Sequence, residues 1–378
     1  MLDVIELHRK LKGKISIAAK APIRNTEDLS TLYTPGVAEP CRQIAKDRKL
    51  AYDLTMKGNT VAIVTDGTRV LGLGDIGPEA ALPVMEGKAL IMQQFAGIDA
   101  FPICLAEKDT GKIVEIVKAI APVFGAINLE DIETPKVFEI ERRLTEELDI
   151  PVFHDDQHGT AIVVLAGLYN ALKIAGKGTD VKIALVGAGS AGYGIAKLLH
   201  AAGFRDIISF DSKGALHKGR ENLSGQKLEL AGFNKENYSG KLAEFTGADV
   251  IISAASPGSL PLEAVKAMSK PSIVFALANP ISEISLEQAK ELQIDIFGTG
   301  RSDYPNQINN SLCFPGFLRA LLDLRVTRIT NEMKIAAAKG IAGTVTEMEL
   351  KKGKIVPDAF NKKVPEEIMK KVGDAIGR

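Results

Sequence analysis

Four carboxylates fall in two adjacent pairs, Glu130-Asp131 and Asp155-Asp156, which close the runs GAINLED (125–131) and IPVFHDD (150–156). Beyond them VKIALVGAGSAG (181–192) sets a glycine-rich turn after an apolar stretch. Acid pairs at strand ends can gather up to four oxygen ligands around a hard cation. A glycine turn that opens a helix offers backbone N–H groups to a pyrophosphate. Taken singly, each acid pair has a plainer reading: Asp155 or Asp156 as a helix cap, Glu130-Asp131 as a solvated loop. Together, with no cysteine or histidine cluster beside them, they favour Mg2+ or Mn2+ over Zn2+. His154 and His158 flank the aspartates as supporting or structural groups.

Two segments have the spacing of a dinucleotide fingerprint. Gly187-Ala188-Gly189-Ser190-Ala191-Gly192 follows a predicted strand and opens a predicted helix, and Asp211 lies nineteen residues beyond Gly192 at the next strand's end. That is the setting in which the glycines admit a pyrophosphate and the carboxylate meets ribose hydroxyls. Gly72-Leu73-Gly74-Asp75-Ile76-Gly77 has the same spacing but carries an acid inside the loop and no acidic strand end at the right distance, so it reads as a plain turn.

Lys88 stands out on its helix. On a wheel of 3.6 residues per turn its neighbours are Ala81, Val84, Met85, Ile91, Met92 and Phe95. Desolvation on such a face disfavours the ammonium and lowers its pKa toward that of a general base. The competing picture is a lysine that lays its stem along the apolar stripe and keeps its head in water.

The elements that must position these groups alternate. Runs 60–66 and 70–74 flank Asp66-Gly67, a hairpin signal. A helix over 79–96 follows, then strand 100–105, helix 111–120, strand 125–129, helix 134–147, strand 150–154 and helix 158–175. The pattern restarts with strand 181–186, helix 190–202 and strand 206–211, and continues with strands 248–254, 272–278 and 294–298. From 311 the chain reads helical, with a strand-like KIVP at 354–357. The class is α/β with mostly parallel sheets in two domains that divide near 157. Across 378 residues Lys+Arg and Asp+Glu both number 47, so no bulk field draws the chain to nucleic acid or an anionic membrane. No apolar run is expected to reach a membrane span, and three scattered cysteines point to a reducing cytoplasm.

The segments YTPGVAEPC (33–41), TDGTRVLGLGDIG (65–77), PVMEGKAL (83–90), NLED (128–131), FHDDQHGTA (153–161), VGAGSAG (186–192), ANP (278–280) and NNSLCFPG (309–316) resemble those of malic enzymes, in order and over nearly the whole chain. The likeness is to the short prokaryotic form, without the acyltransferase-like domain of some relatives. It implies oxidative decarboxylation of L-malate to pyruvate with NAD(P)+ and a divalent metal, by a cytoplasmic homodimer. It further implies a substrate and metal domain over 1–157, a Rossmann-type doubly wound domain over 158–311, and C-terminal helices over 312–378 that return to the first domain. By resemblance Lys88 is the general base, Tyr33 the general acid, and Asp155 the adjacent catalytic aspartate. Glu130, Asp131 and Asp156 are the metal ligands. Arg69 grips a malate carboxylate, and Asn279 and Asn310, with Asn309 beside them, hold substrate near the nicotinamide. Eukaryotic members carry asparagine and isoleucine where this chain has His154 and His158. Asp211 favours NAD+ over NADP+, opposed by Lys213, Lys218 and Arg220 nearby. An amino-acid dehydrogenase or a folate-type dehydrogenase would share the layout without needing clustered acids, and a silent nucleotide-binding regulator would not need Tyr33, Lys88 and Asp156.

Overall fold

The computed structural model of the chain describes residues 3–223 and 225–377. Two sheets organise it. The first contains β1 (Thr60–Thr65), β2 (Asp99–Cys104), β3 (Ala126–Leu129) and β4 (Val152–His154), all parallel, in the order β2-β1-β3-β4. α1 (Pro78–Ala96), α2 (Thr110–Ile120) and α3 (Lys136–Glu147) make the crossovers. β1 is buried at every position, as a strand covered on both faces must be.

The long helix α4 (Asp155–Ala175) leads into the second sheet. β5 (Lys182–Val186), α5 (Ser190–Ala201) and β6 (Asp206–Asp211) follow, with a two-residue β7 (Gly214–Ala215) antiparallel at the edge. β8 (Val250–Ser253), β9 (Ile273–Ala276) and β10 (Ile296–Thr299) complete the order β10-β9-β8-β5-β6-β7. Helices α6 (Phe314–Asp323), α7 (Asn331–Gly343) and α8 (Lys363–Ala375) close the chain. α6 packs on α1, and α7 lies between α4 and α8. Arg319 on α6 donates to Asn59 Oδ1 at 2.5 Å, just ahead of β1.

Three expectations are corrected. The hairpin at Asp66-Gly67 does not form. β1 has β2 and β3 on its two sides, and residues 70–74 make only an isolated bridge between Val70 and Gly74. Asp66 Oδ1 instead takes hydrogen bonds from the Thr68 backbone (3.1 Å) and hydroxyl (2.6 Å), which turns the chain out of the sheet. KIVP is not a strand: the Ile355 N–H donates to Asn306 Oδ1 and its carbonyl accepts from Asn170 Nδ2, both at 2.9 Å. Side chains there do the work of a ladder. Finally, α4 is long and apolar enough to cross a membrane, contrary to the expectation from the sequence, yet 67% of its apolar window is buried inside the protein.

The segment ahead of β1 has another character. Its helices Val4–Leu11, Thr26–Leu32 and Ala38–Lys46 bury no residue, and Val4, Ile5, Ile17, Ile23, Leu29, Leu32 and Val37 stand exposed.

Candidate active site

Segments that follow β1, β3, β5, β8 and β9, with the start of α4 directly after β4, line one cavity of about 510 Å³. Sites in open α/β sheets form at these carboxyl ends. Lys88, Glu130, Asp131, Asp156, Arg69, Ser190, Ala191, Asn279, Asn309 and Asn310 all line it.

Lys88 is buried among the apolar residues of α1, but its head reaches two carboxylates. Nζ donates to Glu130 Oε2 at 2.6 Å and to Asp155 Oδ2, and sits 4.4 Å over the Phe314 ring. Burial works against the ammonium, yet Asp155 and Glu130 outweigh it and hold the pKa above the ordinary lysine range. The expectation of a lysine left neutral by desolvation is therefore overturned, and so is that of a head snorkelling to water. The wheel located the burial correctly. It could not register acids arriving from β3 and α4.

Asp155 and Asp156 occupy the first turn of α4, which begins three residues earlier than expected and sets both acids at the positive end of its dipole. Asp155 Oδ2 also accepts from Asn310 Nδ2 at 2.7 Å. Space for this carboxylate comes from Gly159, where a Cβ would stand 1.9 Å from Asp155 Oδ1.

One oxygen each from Glu130, Asp131 and Asp156 lie within 4.8 Å of one another. Asp131, at a left-handed φ of 51°, donates its N–H to Asp156 Oδ2 at 3.1 Å, while its own buried Oδ2 has no hydrogen-bond partner. Burial first, then Asp156, pushes the Asp131 carboxyl up to about 7, and burial pushes Glu130 well up. Three crowded acids with an orphaned oxygen fit a hard divalent cation, whose charge would offset their repulsion.

Behind them lies a cluster that the sequence reading did not assemble. Glu141 on α3 accepts from His158 Nε2 at 2.5 Å, and its other oxygen is 3.7 Å from His154 Nδ1. His154 Nε2 stands 3.8 Å from Asp156 Oδ2. Burial alone would lower the His154 pKa, but Asp156 and Glu141 carry it to about 9. Burial likewise opposes ionisation of Asp156, and His154 reverses the balance, holding it below the usual carboxylate range. The only trace of Glu141 in the sequence is an acid adjoining the buried positions Val137, Ile140 and Leu144 of an amphipathic helix.

At the opposite wall the fingerprint turn has the required backbone. Gly187 has φ 103°, and a Cβ there would lie 2.6 Å from the Ala254 carbonyl oxygen. At Gly192 a Cβ would meet the Gly187 oxygen at 1.9 Å. Ser190 opens α5 with a buried hydroxyl that has no partner, facing the site a pyrophosphate would take. The Arg69 guanidinium reaches to 3.7 Å from where a Gly189 Cβ would be, so it spans both walls. Asn279 Nδ2 donates to Gly300 O at 2.9 Å, and Asn309 caps the turn after it through Ser311 N at 2.9 Å.

Asp211 ends β6 as expected, but its oxygens are engaged. Arg220 Nη2 lies 2.9 Å from both, and Lys227, which the sequence reading did not weigh, is at 2.7 Å. The Gly72–Gly77 loop is a turn lying against the segment after β9: a Cβ on Gly72 would be 3.4 Å from Pro280 Cδ.

Tyr33 stands apart from Lys88 and the clustered acids. It ends the helix Thr26–Leu32 with its side chain 63% exposed and does not line the cavity.

Two family descriptions match the chain: the malic enzyme N-terminal domain over residues 12–145 and the malic enzyme NAD binding domain over 157–376. An NAD-dependent malic enzyme of Geobacillus stearothermophilus is 56% identical over 97% of this chain and 77% of its own length. A bifunctional malic/malolactic enzyme of Bacillus subtilis is 52% identical over 99% of this chain and 92% of its own. The crystal structure of an NAD-dependent malic enzyme from Thermotoga maritima superimposes with a TM-score of 0.93 at 46% identity, covering 98% of this chain and 99% of that one. With acids, buried lysine and fingerprint turn gathered on one cavity, and with both family descriptions matched, the chain belongs to the malic enzyme family.

Proposed function

We propose that the chain oxidises L-malate to pyruvate and CO2 in this cavity, using NAD(P)+ and Mg2+ or Mn2+ held by Glu130, Asp131 and Asp156. The observation that carries the reading is the meeting of Lys88, backed by the buried Asp155, and the three-carboxylate cluster with the fingerprint turn on one cavity. When bound, the cation would supply Lewis acidity at the C2 oxygen, which acidifies the hydroxyl and makes the ketone an electron sink for loss of CO2, and NAD(P)+ would supply the hydride acceptor.

The chain's own residues do the rest. Lys88 holds a proton on Nζ that must leave before it can act as a base, and Asp155 Oδ2, its hydrogen-bond partner, is the acceptor at hand. Burial raises the Asp155 carboxyl, which suits it to take that proton. The freed amine then takes the proton of the C2 hydroxyl. Asn310 holds Asp155 in line. Arg69, between the acids and Gly189, binds a malate carboxylate with a planar fork of donors.

Tyr33 supplies the last proton, to the carbon that CO2 leaves, and does so from a second copy of the chain. Support comes from its exposure and from the apolar surface of the segment around it, which the chain does not cover itself. The assembly is a homodimer, the commonest closed oligomer. We assign 1–157 to the substrate and metal domain, 158–311 to the nucleotide domain, and 312–378 to helices that pack back on the first, as the α6–α1 contact suggests. The three free thiols suit a reducing cytoplasm.

The test is a coupled assay with L-malate, both cofactors, and Mn2+ present or removed by chelation. Malate-dependent reduction of NAD+ or NADP+ that vanishes on chelation is expected, and undiminished turnover without metal would reject the assignment. Mixing inactive Tyr33→Phe and Lys88→Ala chains tests the shared site: a quarter to half of parental activity should return in mixed dimers, and none if each chain is self-sufficient.

A further inference from the structure

Glu283 is a buried acid that the proposed chemistry does not use. It is 4% exposed and follows β9 by a few residues. Its partners are backbone N–H groups: Oε2 accepts from Ala278 at 2.9 Å and Oε1 from Ala255 at 3.3 Å. These two amides belong to different loops, one after β9 and one after β8. Both loops line the cavity, through Ala254 and Ala255 on one side and Leu277, Ala278 and Asn279 on the other. Burial pushes the carboxyl up even with these donors present. A charge-bearing group kept at such a cost needs a use, and the geometry supplies one.

The loop after β8 sets more than its own course. The Ala254 carbonyl approaches Gly187 so closely that a Cβ there would be 2.6 Å away. Ala254 N in turn donates to Val186 O at 2.8 Å, and Leu277 N to Ser253 O at 2.9 Å. The ladder therefore holds these loops at their roots, and beyond the ladder's end Glu283 ties one to the other. Asn279 directly follows the pinned Ala278, and its side chain is fixed to Gly300 O at 2.9 Å.

We propose that Glu283 is a positioning residue for the nicotinamide end of the site. One carboxylate, bridging the loops after β8 and β9, sets the gap above Gly187 and the placing of Asn279. The proposal rests on the reading that NAD(P)+ lies along this wall.

Glu283→Gln keeps the shape but turns an NH2 toward a backbone N–H, so that one buried donor loses its acceptor. Such a loss weakens a dependent equilibrium by about tenfold. Fluorescence titration should give a Kd for NADH about tenfold above the parent's, with KM for NAD+ raised to match, kcat changed less than KM, and Mn2+ affinity unchanged. A merely structural role would lower Tm and leave the constants of the folded enzyme alone. An NADH Kd equal to the parent's would overturn the role of Glu283. Failure of the parent protein itself to bind NADH would overturn the site reading, and this proposal with it. Should the variant not fold, hydrogen exchange in the parent decides: the Ala255 and Ala278 amides should be among the protected ones, and free exchange at both would overturn the bridge.

Discussion

The two walls of the cavity are built by opposite means. The nucleotide wall is made of backbone: a glycine at φ 103°, another whose missing Cβ lets α5 start, and helix N–H groups with an unpartnered serine hydroxyl among them. Its parts lie within six consecutive residues, Gly187 to Gly192. The acidic wall is made of side chains carried by α1, the loop after β3, α4 and the turn at 309–312, drawn from positions 88 to 310. It is also charged against itself, with Asp131 raised by burial and by Asp156, and Lys88 held protonated by Asp155 and Glu130 despite its burial. A backbone site is specified locally and tolerates its surroundings. A side-chain site of this kind depends on the whole fold and on the ion it is built to hold.

The two walls should therefore fail separately. Asp156→Ala removes one of the three clustered oxygens and leaves Gly187–Gly192 untouched. At saturating Mn2+ malate turnover should fall about 10³-fold or more, the worth of several kcal/mol of Lewis-acid stabilisation. NADH affinity in a fluorescence titration should stay at the parent value. Joint loss of both functions would mean that the walls are one cooperative unit.

Lys88 gives the next effect. Lys88→Ala should slow malate oxidation by about 10²-fold or more. The sharper variant is Lys88→Arg, which keeps a cation near Glu130 and Asp155 but cannot give up a proton. If Lys88 served only to balance those acids, Arg would restore most of the rate. Continued loss in both, read in single-turnover hydride transfer, is the expected result.

The difference between the walls is also the difference in what could be read from the sequence. Strands and helices with clear periodicity, such as β5, α5 and β6, appear within a residue or two of expectation, and the glycine turn needed only its neighbours to be recognised. Lys88, Glu130, Asp131, Asp155 and Asp156 were also legible as candidates, by resemblance and by their placement at strand ends. What was hidden is through-space. No local pattern says that Glu130 and Asp155 meet Lys88 and reverse its pKa, that Glu141 stands behind His154 and His158, or that Lys227 closes on Asp211. The hairpin failed for a related reason: turn residues were read without knowing that both edges of β1 were taken.

Cofactor choice tests the nucleotide wall alone. Asp211 alone would repel a 2′-phosphate, at a cost cut by solvent to about 1–3 kcal/mol, or roughly 5–150-fold. Arg220 and Lys227 pair with that carboxylate and blunt its field. We still expect kcat/KM at fixed malate and Mn2+ to favour NAD+, toward the low end of that range. Lys227→Ala should widen the preference by baring Asp211. A parent enzyme that prefers NADP+ would make Arg220 and Lys227 the phosphate clamp instead.

The smallest effect lies at the rim of the acidic wall, in Lys334. Its Nζ is 3.4 Å from His158 Nδ1, and burial lowers its pKa to about 8, against the pull of Glu141. An unfolded lysine keeps its proton to a pH near 10.5. Between about 8 and that value the unfolded chain thus binds more protons than the folded one, and stability rises with pH across the window. Below pH 8 the fold carries the full cost of the buried ammonium, about 1–3 kcal/mol. Lys334→Met removes the charge and keeps an apolar stem, so its Tm at pH 7 should exceed the parent's by a few degrees. The gap should close as the pH approaches 10, where the parent amine is neutral as well. A gap of the same size at both pH values would show that the gain comes from packing, and that Lys334 imposes no electrostatic cost on the wall it adjoins.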